Sequence, residues 1–337
     1  MQNLLNQEKE PEEEFDRSKN KKINKQPPAK IKKISKAKRN LDYIKKNYIL
    51  YLLIAPAVIL TIIFKYIPMY GAVIAFKDFS PMKGILGSDW VGLKHFTSFL
   101  TSPNFLEIFM NTIKLSSFEL LIGFPIPIIL ALMLNQIRKA KAKKNIQLAL
   151  YAPHFISVVV ISGMVFLFLS PTGPINVLLT NLFGTSFSFM SDPDAFRSIY
   201  ITSGVWQGAG WASIIYVAAL ANVDPQLHDA ATIDGASLLQ RIIHIDLPVL
   251  KPVMAVLFIL AAGGIMAIGF EKAYLLQTAM NLPTSEIIPT YVYKKGLLAG
   301  DYSFATAVGL FNAVINVGLL IFVNQVVKKL NEGEGLL

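Results

Sequence analysis

Asp229-Ala230-Ala231-Thr232-Ile233-Asp234-Gly235-Ala236, followed eight residues later by Ile245-Asp246-Leu247-Pro248, is a polar run set between two long apolar ones. Local rules give it a shape. Asp224-Pro225 places an acidic N-cap before a proline at the first helical position, which starts a helix. Gly235 ends that short helix or lets another backbone approach closely. Ser237 caps a second short helix, and Leu247-Pro248 is expected to stop it. Two short helices with a bend form a knob that is too polar to span a bilayer. Such a knob suits docking at one membrane face; an ordinary loop between spans is the plainer alternative.

Around this run the chain reads as a membrane protein. Its 337 residues are 53% hydrophobic and 16% charged, with a mean hydropathy of +0.48. Soluble domains carry about 25% charged residues. Cysteine is absent from the sequence, which excludes disulfides and thiolate metal sites. The four histidines show no paired spacing, so no metal centre is expected.

Six spans long enough for a hydrocarbon core flank the knob, spans 4 and 5 directly. They cover about Tyr48 to Phe76, Ile108 to Ile137, Asn145 to Leu169, Ser198 to Ala221, Val249 to Phe270 and Tyr302 to Val327. Pro56, Pro68 and Pro153 fall inside spans, where neighbouring helices can satisfy the freed backbone groups. Residues 170–197 form an outer segment that includes a short surface helix. The six-span body is residues 47–330, with the knob at 224–248.

The net charge of +10 is uneven. Residues 17–46 hold thirteen Lys/Arg against Asp42, whereas residues 1–16 hold six acids against Lys9. Residues 1–46 are expected to be a disordered, basic tail at the cytoplasmic face in contact with anionic lipid. No apolar core with a cleavage site occurs near the start, so a secretory signal is not expected. No nucleic-acid module accompanies the basic residues, so nucleic acid is not an expected partner. The basic turn Arg138 to Lys144 and the pair Lys328-Lys329 fall on the same side as the tail if six spans are counted. The positive-inside rule makes that side cytoplasmic, including the knob and the short tail 331–337.

The run at 229–248 resembles the EAA loop of binding-protein-dependent ATP-binding-cassette importer permeases, (E/D)-A-A-x-x-D-G-A followed by I-x-L-P. Asp229 takes the usual Glu position, and Ala230, Ala231, Asp234, Gly235, Ala236, Ile245, Leu247 and Pro248 match. From about Tyr51 onward the chain is also similar to sugar permeases of the complex-oligosaccharide branch. Tyr70 to Phe79, Trp90 to Phe96, Gly123 to Ile128, Pro153 to Ser157 and Ala307 to Phe311 carry that likeness. The resemblance implies an all-α integral membrane protein of the type I importer permease class. It has six transmembrane helices and a cytoplasmic two-helix coupling loop between helices 4 and 5, and sits in the cell membrane. It further implies a second, homologous permease, an ATPase dimer that holds ATP and Mg, and an extracellular solute-binding protein.

The sequence contains no G-x-x-x-x-G-K-(S/T) run and no catalytic motif. The chain is therefore expected to bind no cofactor and to take its energy from a partner. The alternatives are an importer permease for a non-sugar solute, or a secondary transporter or channel. The last two usually place ionisable groups at mid-membrane. The best such group, Glu119, lies about 28 Å from the basic turn, near the outer interface.

Polar and aromatic residues within the spans are candidates for the sugar path: Trp206, Gln207, Trp211 and Tyr216 in span 4, Asn312 and Asn316 in span 6. Amides bond hydroxyls, and aromatic faces take ring C–H groups. Helix–helix hydrogen bonding and interfacial anchoring are the competing uses. Glu271 and Lys272, at the outer end of span 5, are candidate contacts to the binding protein.

Overall fold

The structure, a computed structural model, describes residue 43 and residues 45–330. The expected tail at 331–337, and nearly all of that at 1–46, lie outside the described residues. Residues up to Phe64 form one unit and Lys65 onward a second. In the first, helix α1 (Tyr48–Thr61) has no buried side chain. A helix apolar on every side is at home only in lipid or in a protein core.

Among its described residues the second unit is mostly helical, with one short ribbon that pairs Lys77 with Trp90 and Asp78 with Asp89. Its helices are α2 (Lys94–Leu100), α3 (Phe105–Gly123), α4 (Pro125–Asn135), α5 (Ala140–Tyr151), α6 (Val158–Leu169) and α7 (Pro174–Phe183). After these come α8 (Pro193–Leu220), α9 (Pro225–Ile233), α10 (Leu238–Arg241), α11 (Leu247–Gly263), α12 (Phe270–Leu276), α13 (Ile288–Tyr293) and α14 (Tyr302–Leu330). Among the described residues, five helical runs are long and apolar enough to cross a bilayer: Tyr48–Phe76, Phe105–Asn135, Val158–Phe183, Leu238–Gly263 and Tyr302–Lys329. The third takes in α7, which the sequence placed in the segment outside the spans. A sixth is reached if α8 and α9, bent by 78°, are counted together.

Three of the expected outlines change. Span 3 is not one helix: α5 gives way to a 3-10 turn over Ala152–Phe155, Ile156 is extended, and Ser157 caps α6. Pro153 lacks the N–H a continuous helix needs. The carbonyl freed at Ile156 is taken by Gln207 Nε2 at 3.0 Å. Span 5 breaks at the end away from the knob, where Gly263 closes α11 and a 3-10 turn spans Ile265–Ala267. At the end next to the knob the opposite holds. Leu247-Pro248 does not stop the second short helix; α10 continues through a π-turn over Ile242–Asp246 into α11, one helical run from Leu238 to Gly263. The π-turn lets Leu247 N donate to Ile242 O, so the helix enters the proline with its bonding already shifted.

Side chains pack in three clusters. In one, Phe99 meets Phe105 and Phe311 edge-on, with ring centroids 5.0 and 5.6 Å apart. A second cluster joins Leu115, Phe196, Tyr200 and Leu276. The third lies behind the knob: Ile128 and Ala131 of α4, Tyr216 and Leu220 of α8, and Leu250 of α11. Lipid tails are as apolar as leucine, so close packing rather than water exclusion must hold such contacts. Gly210 shows how close: a Cβ there would overlap the Leu150 carbonyl.

Candidate functional site

The knob is built by its caps. Asp224 accepts a hydrogen bond from Gln226 N at 2.9 Å and Pro225 opens α9. At the other end, Gly235 N donates to Thr232 O and Ala236 N to Ala231 O, the paired bonds of a Schellman turn. That turn needs a left-handed residue, and Gly235 has φ +77. No atom lies within 4 Å of where a Cβ would stand, so the conformation alone demands glycine there. Ser237 then starts α10 with a capping box: its Oγ accepts from Gln240 N at 3.3 Å, and Gln240 Oε1 accepts from Ser237 N at 2.7 Å. Arg241 Nη1 donates to Thr232 Oγ1 at 2.9 Å and ties α10 back to α9.

What the knob presents is unusual for a polar loop. Ile233 is 86% exposed and Leu239 65%. Asp229, Ala230 and Asp234 are exposed beside them, while Ala231, Ala236, Ile245 and Leu247 are half-buried and Pro248 is exposed. Among the described residues, the Asp234 carboxylate accepts no hydrogen bond; backbone bonds hold the bend.

Beneath the knob lies a group the sequence reading passed over. Asp246, the variable position of I-x-L-P, is fully buried. Its Oδ1 is 3.2 Å from His228 Nε2 on α9 and 3.4 Å from Asn135 Nδ2; its Oδ2 accepts from Gln136 Nε2 at 3.1 Å. A buried carboxylate is tolerated only when so partnered. The signal available in the sequence was an acid inside the apolar run Ile242 to Val249. A polar cavity of about 680 Å³ opens beside it, lined by Gln136, Arg138, His228, Asp229 and Arg241.

The candidate path residues do not converge on one cavity. Gln207 bonds the Ile156 carbonyl. Trp211 stacks on His154, with centroids 4.6 Å apart and planes within 2°. Tyr216 is buried in the cluster behind the knob, and Trp206 is 51% exposed. Asn312 Nδ2 donates to Met266 O at 3.0 Å, and Asn316 Oδ1 accepts from Met266 N at 2.9 Å. The two amides of α14 thus satisfy the break in span 5. Asn312 Oδ1 is buried with no partner among the described residues.

Lys272 departs from expectation. Its ammonium turns inward, donating to Tyr200 O at 2.6 Å and lying 3.8 Å from the Tyr200 ring centroid. Gly204 has no side chain where the ammonium sits. Burying a lysine costs less when a carbonyl and an aromatic face replace water. Of the expected pair, only Glu271 is exposed.

Comparison with known proteins agrees with this architecture. Residues 123–332 match the family described as binding-protein-dependent transport system inner membrane component. The polygalacturonan/rhamnogalacturonan transport system permease protein YteP of Bacillus subtilis (strain 168) is 45% identical over 309 residues, covering 91% of this chain and 96% of that one. Protein LplB of the same organism is 42% identical over 87% of this chain and 92% of its own. Among solved structures, a bacterial ABC transporter involved in the import of the acidic polysaccharide alginate aligns with a TM-score of 0.80 at 39% identity, covering 86% of this chain and 99% of that one. A second, the alginate transporter in complex with alginate pentasaccharide-bound periplasmic protein, aligns with a TM-score of 0.81 at 37% identity, covering 88% of this chain and all of that one. The chain belongs to the family of binding-protein-dependent transport system inner membrane components.

Proposed function

We propose that this chain forms one half of the channel of an ATP-driven importer for oligosaccharides, acidic ones in particular. A second permease, an ATPase dimer and an extracellular solute-binding protein complete the machine. The relatives' named roles support the substrate class: polygalacturonan/rhamnogalacturonan in one, the acidic polysaccharide alginate in another. ATP and Mg sit on the ATPase, and this chain hydrolyses nothing. The N-terminus, the Arg138 to Lys144 turn, the knob and the C-terminus face the cytoplasm, and anionic lipid meets the basic segments.

The observation that carries the reading is the knob itself. Its backbone is closed by its own caps, yet Ile233, Leu239, Asp229 and Asp234 point outward. Exposed apolar groups on a self-satisfied polar scaffold suit a partner's cleft. Nucleotide-driven closure of the ATPase then moves α9, and the spans joined to it turn the half-channel between inward- and outward-facing states. For this to couple, nucleotide and loaded binding protein must favour the same state. In the path, the free Asn312 Oδ1 supplies an acceptor for a sugar hydroxyl, and Glu271 remains a contact to the binding protein.

The test is Ile233→Asp. A charge at the tip should sharply reduce the ATPase that co-purifies with the permease pair while the chain still inserts. Undiminished co-purification would contradict docking through this knob.

A further inference from the structure

The knob is joined covalently to spans 4 and 5 only; span 2 has no chain connection to it. Yet the cytoplasmic end of span 2 supplies Asn135 and Gln136, which meet the same buried carboxylate as His228 of α9. We infer that Asp246 is the joint that carries movement of the coupling helix into span 2. Without this joint, ATPase closure would reach only the spans flanking the knob. The inference rests on the docking reading above.

Three observations support it. The carboxylate is fully buried and takes donors from two elements besides its own, so it sits at their meeting point rather than on a surface. His228 Nε2 lies 3.2 Å from Asp246 Oδ1, within hydrogen-bond reach, so the contact is directional. Finally, the cavity of about 680 Å³ between α9 and the end of span 2 is lined by Gln136, His228 and Arg241. Where side chains leave such a gap, packing cannot transmit a push, and the hydrogen-bonded carboxylate beside it is the tie. The cluster of Ile128, Ala131, Leu220 and Leu250 above it packs the same helices together. The hydrogen-bonded carboxylate adds a directional tie between α9 and span 2. Asp246, His228, Asn135 and Gln136 are positioning residues on this account, and none of them touches sugar or nucleotide.

The chain contains no cysteine, so paired spin labels report cleanly. One pair, at Met82→Cys and Met133→Cys, spans from the segment between spans 1 and 2 to the far end of span 2; both positions are exposed. The other, at Met82→Cys and Val249→Cys, reports on the foot of span 5. Distances are measured in the complete complex, binding protein included, before and after ATP with vanadate. Both pairs should shift in the unmodified sequence. In His228→Leu the span 5 pair should still shift and the span 2 pair should lose its shift. His228→Gln, which keeps a donor near Nε2, should restore it. Asp246→Asn is expected to behave like His228→Leu. If the span 2 pair shifts in His228→Leu as in the parent, the joint is wrong and the docking reading stands. The same holds if His228→Gln fails alongside His228→Leu, because a donor is then not what matters. If both pairs shift normally in Gly235→Asp, or neither shifts in the parent, the docking reading fails and the joint falls with it.

Discussion

On the docking reading proposed above, Gly235 is the residue on which coupling should depend most visibly. Its φ of +77 is forced by the turn, and the space around it is open, so the effect of a substitution is backbone strain rather than collision. A Cβ in that region costs about 1–2 kcal/mol, less for asparagine. The fraction of complexes retaining ATPase should therefore fall in the order Gly, Asn, Ala when Gly235→Asn and Gly235→Ala are compared by co-purification. An alanine as good as glycine would show that the turn does not matter. Gln207 and Asn312 call for a different measurement, since each already bonds a backbone carbonyl. Interhelical side-chain bonds in membranes average about 0.6 kcal/mol, which is a modest effect on assembly. Gln207→Ala should thus cost little more than that in thermal stability of the complex. If Asn312→Ala lowers sugar uptake by about tenfold with complex yield kept, the excess belongs to a contact with sugar. Equal losses of uptake and yield would assign it to packing.

At the scale of the element, what the sequence revealed and what it hid divide along a physical line. The caps were legible because each is local: Asp224 with Pro225, Gly235 in the left-handed region, Ser237 three residues before Gln240. The continuous helix through Leu247-Pro248 was not, because a π-turn upstream absorbs the missing N–H and no residue type announces it. The break at Ile156 was hidden for another reason: its carbonyl is satisfied by Gln207, 51 residues away. Asp246 drew no role and Lys272 was expected to contact the binding protein for the same cause, since their partners come from other elements. Close helix contact gives a paired test here. Gly210 sits against the Leu150 carbonyl, whereas at Gly208 no atom lies within 4 Å of where an added methyl would stand. Gly210→Val should reduce the yield of folded permease in size-exclusion chromatography, and Gly208→Ala should leave it unchanged. Similar yields would mean that α5 and α8 do not pack as described.

At the scale of the whole molecule, the apolar spans, the family match and the knob support the proposal of a half-channel driven from outside itself. Orientation is the first thing that follows. An impermeant thiol reagent applied to intact cells should label Met82→Cys, which is 98% exposed, and spare Lys141→Cys in the basic turn. The reverse pattern would invert the topology and put the knob on the wrong face for an ATPase. The central claim is that the knob transmits ATPase closure to the channel, and one measurement addresses it most directly. It is the ATPase activity of the reconstituted complex, with and without sugar-loaded binding protein, in the parent and in Gly235→Asp. Binding protein should stimulate the parent, and Gly235→Asp should either lose the ATPase from the complex or hydrolyse ATP without that stimulation. Stimulated hydrolysis and sugar uptake in Gly235→Asp equal to the parent would contradict the claim.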